Sequence, residues 1–210
     1  MKEKLKEIEK YAEENSVPII EKNSIAFIMK YIQDNNVKNI LEIGSAIGYS
    51  AILMASAKDD VYVTTIERDE KRYLECVKNI KECGLDKKIN VALQDALELN
   101  IPVEAKYDLI FIDAAKSQYI NFFNKFKDNL SPNGAIISDN LGFHGLVDSD
   151  TYIASRNVRG LVRKITNYID FLKENEEFTT TFIDIGDKIG VSKKTLKWEF
   201  LVRKCLWKDY

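Results

Sequence analysis

The chain has 210 residues, of which 45% are apolar and 30% are charged, and its formal net charge is −2. With only 9 Gly and 3 Pro, this composition excludes disordered and fibrous proteins and suits one globular α/β domain. The slightly negative charge argues against a protein that holds nucleic acid by bulk charge alone, although it is compatible with a local basic patch.

The first 36 residues carry two helical patterns, one over Met1–Asn15 and one around Ile25–Ile32. The first is too charged for a signal peptide, and no segment approaches the ~20 apolar residues that would span a bilayer. The three cysteines form no CxxC pair and indicate a reducing compartment. We therefore expect a cytoplasmic protein that is not held in a membrane.

Strand and helix patterns alternate through the middle of the chain. Strands are predicted at Asn39–Ile43, Val61–Ile66, Ile89–Leu93, Tyr107–Ile112 and Ala135–Ser138. Helices are predicted at Tyr49–Ala57, between the N-cap Asp69 and Gly84, and at Tyr119–Leu130, the last stopped by residues 131–134, SPNG. Strands that recur with helices between them predict a parallel sheet.

The C-terminal third has a different pattern. A long helix is predicted around Val158–Leu172, followed by two strands, Thr179–Ile185 and Lys188–Lys193, which the short link Gly186-Asp187 makes antiparallel. Residues 195–210 carry an amphipathic helical stripe. Without a linker or an internal repeat, residues 1–210 are interpreted as one domain, with helices at 1–36 and an extension at 195–210.

The turn after the first strand has the features of a cofactor site. Residues 41–50, LEIGSAIGYS, place Glu42 and two glycines where strand becomes helix, which is where open α/β sheets bind ligands. Neither GxGxxG nor a Walker A lysine is present, so a nucleoside cofactor without a pyrophosphate, such as S-adenosylmethionine, fits best. Gly44 and Gly48 alone are better explained by packing of a helix against a strand. Glu67 at the next strand end and residues 94–96, QDA, favour the cofactor.

Oxygen-bearing side chains end the fourth and fifth strands. Asp113 follows one strand, and Asp139 and Asn140 follow the other. Singly, each aspartate is more often a helix N-cap, but together the three oxygens predict a Mg²⁺ site. Lys116 lies three residues after Asp113 and would help to lower the pKa of an acceptor hydroxyl.

These motifs resemble the metal-dependent class I O-methyltransferases, the family of catechol and caffeoyl-CoA O-methyltransferases. The resemblance rests on residues 41–50, 67–69 (ERD), 111–116 (FIDAAK) and 138–140 (SDN), and it extends from about Val17 to Lys193. It implies a Rossmann-like methyltransferase fold with a mostly parallel seven-stranded sheet, an antiparallel final strand and helices on both faces. It also implies a homodimer.

The resemblance assigns roles to particular residues. The cofactor S-adenosylmethionine would be surrounded by Glu42, Gly44, Tyr49, Ser50, Glu67, Arg68, Asp95, Ala96 and Asp113. Mg²⁺ or another divalent cation would be held by Asp113, Asp139 and Asn140, and catalysis would depend on Lys116 and Asp113.

Within the family, residues 16–20 (SVPII), 67–73 (ERDEKRY) and 113–119 (DAAKSQY) most resemble bacterial tRNA 5-hydroxyuridine methyltransferases. The leading hypothesis is therefore methylation of 5-hydroxyuridine at the tRNA wobble position 34, giving 5-methoxyuridine. A basic stripe on one predicted helix could meet tRNA phosphates: Arg156, Arg159, Arg163 and Lys164.

Two alternatives remain open at this point. The same magnesium site suits a small catechol or phenol as the acceptor, and a cofactor-binding protein without turnover is a third reading. The loop after Asn140 places His144 where relatives often carry a basic residue, and residues 195–210 extend past the usual end, so both features separate the chain from its relatives.

Overall fold

A computed structural model describes residues 1–143, 145–147 and 154–195. Seven strands form one sheet in the order β3-β2-β1-β4-β5-β7-β6. Strands β1 to β5 pair in parallel, whereas β7 runs antiparallel to both β5 and β6. The predicted fold class, a mostly parallel seven-stranded sheet with an antiparallel final strand, is confirmed.

The elements follow one another as the alternating patterns predicted. The strands are β1 Asn39–Ile43, β2 Tyr62–Glu67, β3 Ile89–Leu93, β4 Tyr107–Ile112, β5 Leu130–Ser138, β6 Phe178–Ile183 and β7 Ile189–Lys194. The α-helices are α1 Lys2–Glu14, α2 Lys22–Asp34, α3 Tyr49–Ala55, α4 Glu70–Glu82, α5 Tyr119–Phe126 and α6 Arg156–Glu174. Two short 3₁₀ helices, Lys116–Gln118 and Lys127–Asn129, flank α5.

Helices cover both faces of the sheet, which is why its central strands are apolar on both sides. Side chains from α1 to α4 pack on one face, against residues such as Ile40 and Phe111. The aromatic side chains of α5 and α6 pack on the other face, against Leu41 and Ile110. Because the β1 and β4 side chains alternate between two sealed cores, a shift of one residue in register would exchange the two faces.

The fifth strand begins earlier than predicted. Residues 131–134 were interpreted as a turn before a strand at Ala135, but β5 already starts at Leu130, which pairs with Tyr107. The register shifts between Tyr107 and Leu109, so the Pro-Asn-Gly sequence lies at an irregularity that tolerates a residue without a backbone N–H. The local turn signal was correct, but the strand continues through it.

Three other predictions concern the C-terminal part. The link between β6 and β7 spans residues 184–188, because each strand is displaced from its predicted bounds. His144 and the amphipathic stripe beyond residue 195 lie outside the described residues. In the described part of the chain, every helix is too short or too polar to cross a membrane.

Candidate active site

The main cavity opens at the carboxyl ends of β1, β2 and β4 and measures about 560 Å³. Its volume is in the range of sites for small molecules. Nine predicted cofactor or catalytic residues line it: Gly44, Tyr49, Ser50, Glu67, Arg68, Asp95, Ala96, Asp113 and Lys116. The carboxyl ends of parallel strands thus bring together side chains from distant parts of the sequence.

Gly44 allows β1 and β4 to approach each other at the base of this cavity. Its φ is +98°, and a Cβ there would lie 2.3 Å from the backbone oxygen of Asp113. The backbone N–H of Asp113 in turn donates to the carbonyl of Ile43. The glycine is therefore required by its backbone conformation and by the space available.

Glu67 ends β2 with its carboxylate at the cavity wall. Its Oε2 accepts from the Ala46 N–H at 2.9 Å, and its Oε1 accepts from the backbone N–H groups of Arg68 and Asp69, each at 2.8 Å. Asp69 caps α4 as predicted, since its side chain accepts from the Arg72 N–H. Backbone donors therefore fix the carboxylate without using all the lone pairs of its two oxygens.

Glu42 lies behind the cavity wall. It is fully buried, and its two carboxylate oxygens accept hydrogen bonds from the hydroxyls of Ser50 and Thr65, both at 2.5 Å. Ser50 separates Glu42 from the cavity. Burial raises the pKa of Glu42 to about 7, against the opposing effect of the two hydrogen bonds.

This raised pKa predicts a pH-dependent stability. An unfolded Glu42 ionises near its ordinary value of 4.5, whereas the folded one keeps its proton to about 7, so its contribution to stability is lost as the pH rises through this window. The Glu42→Gln variant cannot ionise. Relative to wild type, we expect its free energy of unfolding to rise by about 2–3 kcal/mol between pH 5 and pH 8.

Urea denaturation of both proteins at several pH values measures this difference. Asp139 also has a raised pKa, but it is present in both proteins and cancels in the comparison. The exposed Glu98 provides the control, because Glu98→Gln should leave the pH dependence as in wild type. Parallel pH profiles for wild type and Glu42→Gln would contradict the assignment.

Lys116 lies among the groups at the ends of β4 and β5. Its Nζ donates to Asn140 Oδ1 at 2.6 Å and to Tyr119 Oη at 2.7 Å, and it is 3.3 Å from Asp113 Oδ1. The ammonium therefore brings an aspartate and an amide oxygen into one cluster. Asn140 adopts a left-handed backbone conformation with φ of 57°, which asparagine tolerates better than most residues.

Asp139 is fully buried beside this cluster. Its Oδ1 accepts from Ser24 Oγ at 3.2 Å and from the Asn140 N–H at 2.8 Å, while its Oδ2 has no hydrogen-bond partner among the described residues. Burial and the nearby Asp113 raise the pKa of Asp139 to about 7. A buried carboxylate oxygen without a donor is expected where a cation completes the site.

The three predicted metal ligands thus differ in position. Asp113 and Asn140 line the cavity, and Asp139 lies behind it. Within the described ranges, no group of three acidic, histidine or cysteine side chains is placed to hold a metal. The candidate metal ligands are therefore two carboxylates and one amide, all hard oxygen ligands of the kind that Mg²⁺ accepts.

Sequence reasoning missed several residues of this site. Tyr119 was used as the last residue of the DAAKSQY motif and as the start of a helix but was given no role in the site, although its hydroxyl contacts Lys116. Ser24 was not considered, and its bond to Asp139 joins residues 115 positions apart. Arg72 and Asp187 also line the cavity. A polar residue inside the apolar pattern of α2 was the only signal for Ser24.

The comparison with protein families agrees with this geometry. Residues 1–195 match a family described as O-methyltransferase. An Arabidopsis thaliana protein, provisionally described as a caffeoyl-CoA O-methyltransferase, is 30% identical over 193 residues, covering 89% of this chain and 82% of that protein. The chain therefore belongs to the O-methyltransferase family, and the prediction of this class of enzyme is confirmed.

Other relatives cover similar lengths. A caffeoyl-CoA O-methyltransferase of Populus kitakamiensis is 27% identical over 85% of this chain and 78% of its own. A crystal structure from Staphylococcus aureus, also provisionally described as a caffeoyl-CoA O-methyltransferase, is 39% identical with a TM-score of 0.86, covering 91% of this chain and 92% of that one. A Podospora anserina methyltransferase with bound S-adenosylhomocysteine shares the fold at 22% identity and a TM-score of 0.81, covering 92% and 88%.

Proposed function

We propose that the protein transfers the methyl group of S-adenosylmethionine to a hydroxyl oxygen of a small aromatic substrate. The contact of Lys116 Nζ with the side chains of Asp113 and Asn140, beside the glycine turn, carries the proposal. The caffeoyl-CoA methyltransferases among the relatives support a phenolic acceptor. Solved structures of the same fold with bound S-adenosylmethionine or its product support the donor.

The donor would bind across the ends of β1 and β2. The turn at Gly44 would let the protein backbone approach the methionine part of S-adenosylmethionine closely. Glu67 would offer its remaining lone pairs to the ribose hydroxyls of the same molecule. Asp95 and Arg68, whose charged groups lie 3.5 Å apart, would flank the adenosine. Bound in this way, the donor would point its methyl group towards β4 and Lys116.

The acceptor hydroxyl would lie beside Lys116. The ammonium stabilises the oxyanion that forms when the hydroxyl loses its proton to water, and the oxygen then attacks the methyl carbon in line with the sulfur. The C–O bond forms as the S–C bond breaks, and the sulfonium leaves as a neutral thioether. A divalent cation held by Asp113, Asn140 and the Oδ2 of Asp139, which has no hydrogen-bond partner among the described residues, would further lower the pKa of the hydroxyl.

Tyr119 is expected to keep the ammonium in place. Its hydroxyl accepts from Lys116 and donates to the carbonyl of Asp139, at 3.2 Å. The Tyr119→Phe variant should reduce kcat about tenfold and lower the free energy of unfolding by about 1 kcal/mol. Tyr168→Phe is a matched control, because the Tyr168 ring packs against Tyr119 but its hydroxyl bonds to Ser138.

Steady-state kinetics and urea denaturation of the two variants separate these effects. Tyr168→Phe should lose similar stability and keep the kcat of wild type. Equal kcat losses in both variants would mean that Tyr119 acts only through packing.

Methylation of 5-hydroxyuridine in tRNA stays a prediction. The four basic residues of the predicted stripe are exposed on α6, which is the observation that favours it: Arg156, Arg159, Arg163 and Lys164. An exposed basic face is usually just solvated, and the names of the relatives point to small acceptors. We therefore give the small phenol precedence.

The decisive experiment supplies the purified protein with donor labelled in the methyl group. Caffeoyl-CoA, free catechol and tRNA lacking the methyl group are offered in parallel, each with Mg²⁺ and with excess EDTA. We expect label in a phenol, lost with EDTA and restored by added metal. Label found only in tRNA would refute the small acceptor, and turnover unaffected by EDTA would refute the role of the cation.

A further inference from the structure

One carboxylate joins the first three helices of the chain. Glu9 lies on α1, and its Oε1 accepts a hydrogen bond of 2.6 Å from the hydroxyl of Tyr49, the first residue of α3. Its Oε2 accepts from Lys22 Nζ, at the start of α2, at 3.0 Å. The bond from Tyr49 is the main reason that the pKa of Glu9 lies below its usual range. The hydrogen bond therefore favours the ionised carboxylate of Glu9, which acts as an acceptor.

The bond to Tyr49 is the stronger of the two contacts. The side chain of Lys22 is 77% exposed, and an exposed ion pair contributes little. Tyr49 is only 5% exposed and lines the main cavity, and its hydroxyl donates to Glu9, which is not among the residues that line that cavity. A phenol has a single proton to donate, so this hydrogen bond commits the Tyr49 hydroxyl to Glu9 and restricts the rotation of the Tyr49 side chain.

The linker between α1 and α2, residues 15–21, forms another part of the same wall. Pro18, Ile19, Ile20 and Glu21 line the main cavity. Pro18 and Ile19 also line a shallow depression together with Glu9. Residues of the linker therefore border both cavities, and the linker joins α1, which carries Glu9, to α2.

We propose that Glu9 is a positioning residue for the methyl donor: its hydrogen bond holds the side chain of Tyr49, and so fixes the part of the cavity wall that Tyr49 forms. Glu9 itself lies outside the main cavity and acts through Tyr49. The inference rests on the proposed function, because it takes the donor as the ligand of this cavity.

Calorimetric titration with S-adenosylhomocysteine tests the proposal in the full chain. The proteins are wild type, Glu9→Ala, Tyr49→Phe and the double variant. Glu13→Ala is the matched control, because Glu13 lies one turn further along α1, beside the same depression, and is exposed. Glu9→Gln tests rescue, since its amide oxygen can still accept from Tyr49.

We expect Glu9→Ala and Tyr49→Phe each to raise the Kd for S-adenosylhomocysteine about threefold to tenfold, with the double variant no weaker than the single ones. Glu13→Ala should bind as wild type, and Glu9→Gln should recover most of the affinity. In turnover assays, Glu9→Ala should raise the KM for the donor and keep kcat. A lower melting temperature alone, with unchanged Kd, would overturn the positioning role.

Two further outcomes separate the inference from the function on which it rests. If wild type binds the ligand and the effects of Glu9→Ala and Tyr49→Phe add fully, the two residues act independently and the inference is wrong. If wild type itself fails to bind S-adenosylhomocysteine, the proposed function fails and the inference with it.

Discussion

Replacing Lys116 by methionine should lower kcat by about 10²–10⁴-fold, the range typical of a lost proton-transfer or oxyanion-stabilising group. Methionine keeps the length of the side chain and removes its charge. The side chain of Lys116 is 16% exposed, and its Nζ makes its three polar contacts with side chains of the site. The substitution therefore removes the cation where the acceptor oxygen develops negative charge.

Single-turnover kinetics at saturating donor measure this effect on the chemical step. The affinity for S-adenosylhomocysteine should change much less than kcat, since the proposed donor contacts lie towards β1 and β2. Lys71→Met is the control, because Lys71 is exposed on α4, and it should retain the kcat of wild type. A Lys116→Met variant that keeps more than about a third of the wild-type kcat would exclude a catalytic role.

Gly44→Ala should lower the free energy of unfolding by about 2–4 kcal/mol and abolish donor binding. Alanine at a φ of +98° is strained, and its Cβ would approach the Asp113 carbonyl to 2.3 Å. The nearest atom belongs to the backbone of Asp113, directly after β4, and cannot move away without disturbing the end of that strand. Urea denaturation and titration with S-adenosylhomocysteine measure the two effects.

Two other glycines separate strain from steric clash. Gly84 also has a positive φ, of +69°, but a Cβ there meets nothing within 4 Å, so Gly84→Ala should cost only about 1 kcal/mol. Gly160 lies inside α6 with open space around it, and Gly160→Ala should stabilise the protein by about 0.5–1 kcal/mol. If Gly44→Ala costs no more than Gly84→Ala, the close contact with Asp113 is unimportant.

The fold could be predicted because its signals are local. β1 and β4 occupy their predicted ranges, since runs of apolar and β-branched residues are bounded there by polar breaks. The Asp69 cap follows from the chemistry of one side chain. The start of β5 at Leu130 could not be predicted, because pairing with Tyr107 decides it against a local turn signal.

The candidate site was predicted in composition more than in arrangement. The ends of parallel strands had to meet, so the clustering of Asp113 and Asn140 near Lys116 could be expected. The burial of Glu42 could not be predicted, because residues on neighbouring strands and helices determine it. Contacts between distant residues, such as Glu9 with Tyr49, leave no periodic signal. The homodimer and the single domain with its terminal segments, 1–36 and 195–210, stay predictions.

The position of Glu42 gives the Ser50 hydroxyl two possible directions. While Glu42 is ionised, the only proton of Ser50 points inward to it, and Ser50 faces the cavity solely through its lone pairs. Once Glu42 is protonated, the carboxyl can supply that proton itself, and the serine is free to donate outward. A single proton on a side chain behind the cavity wall thus sets which polarity, ammonium or carboxylate, this corner of the cavity accepts.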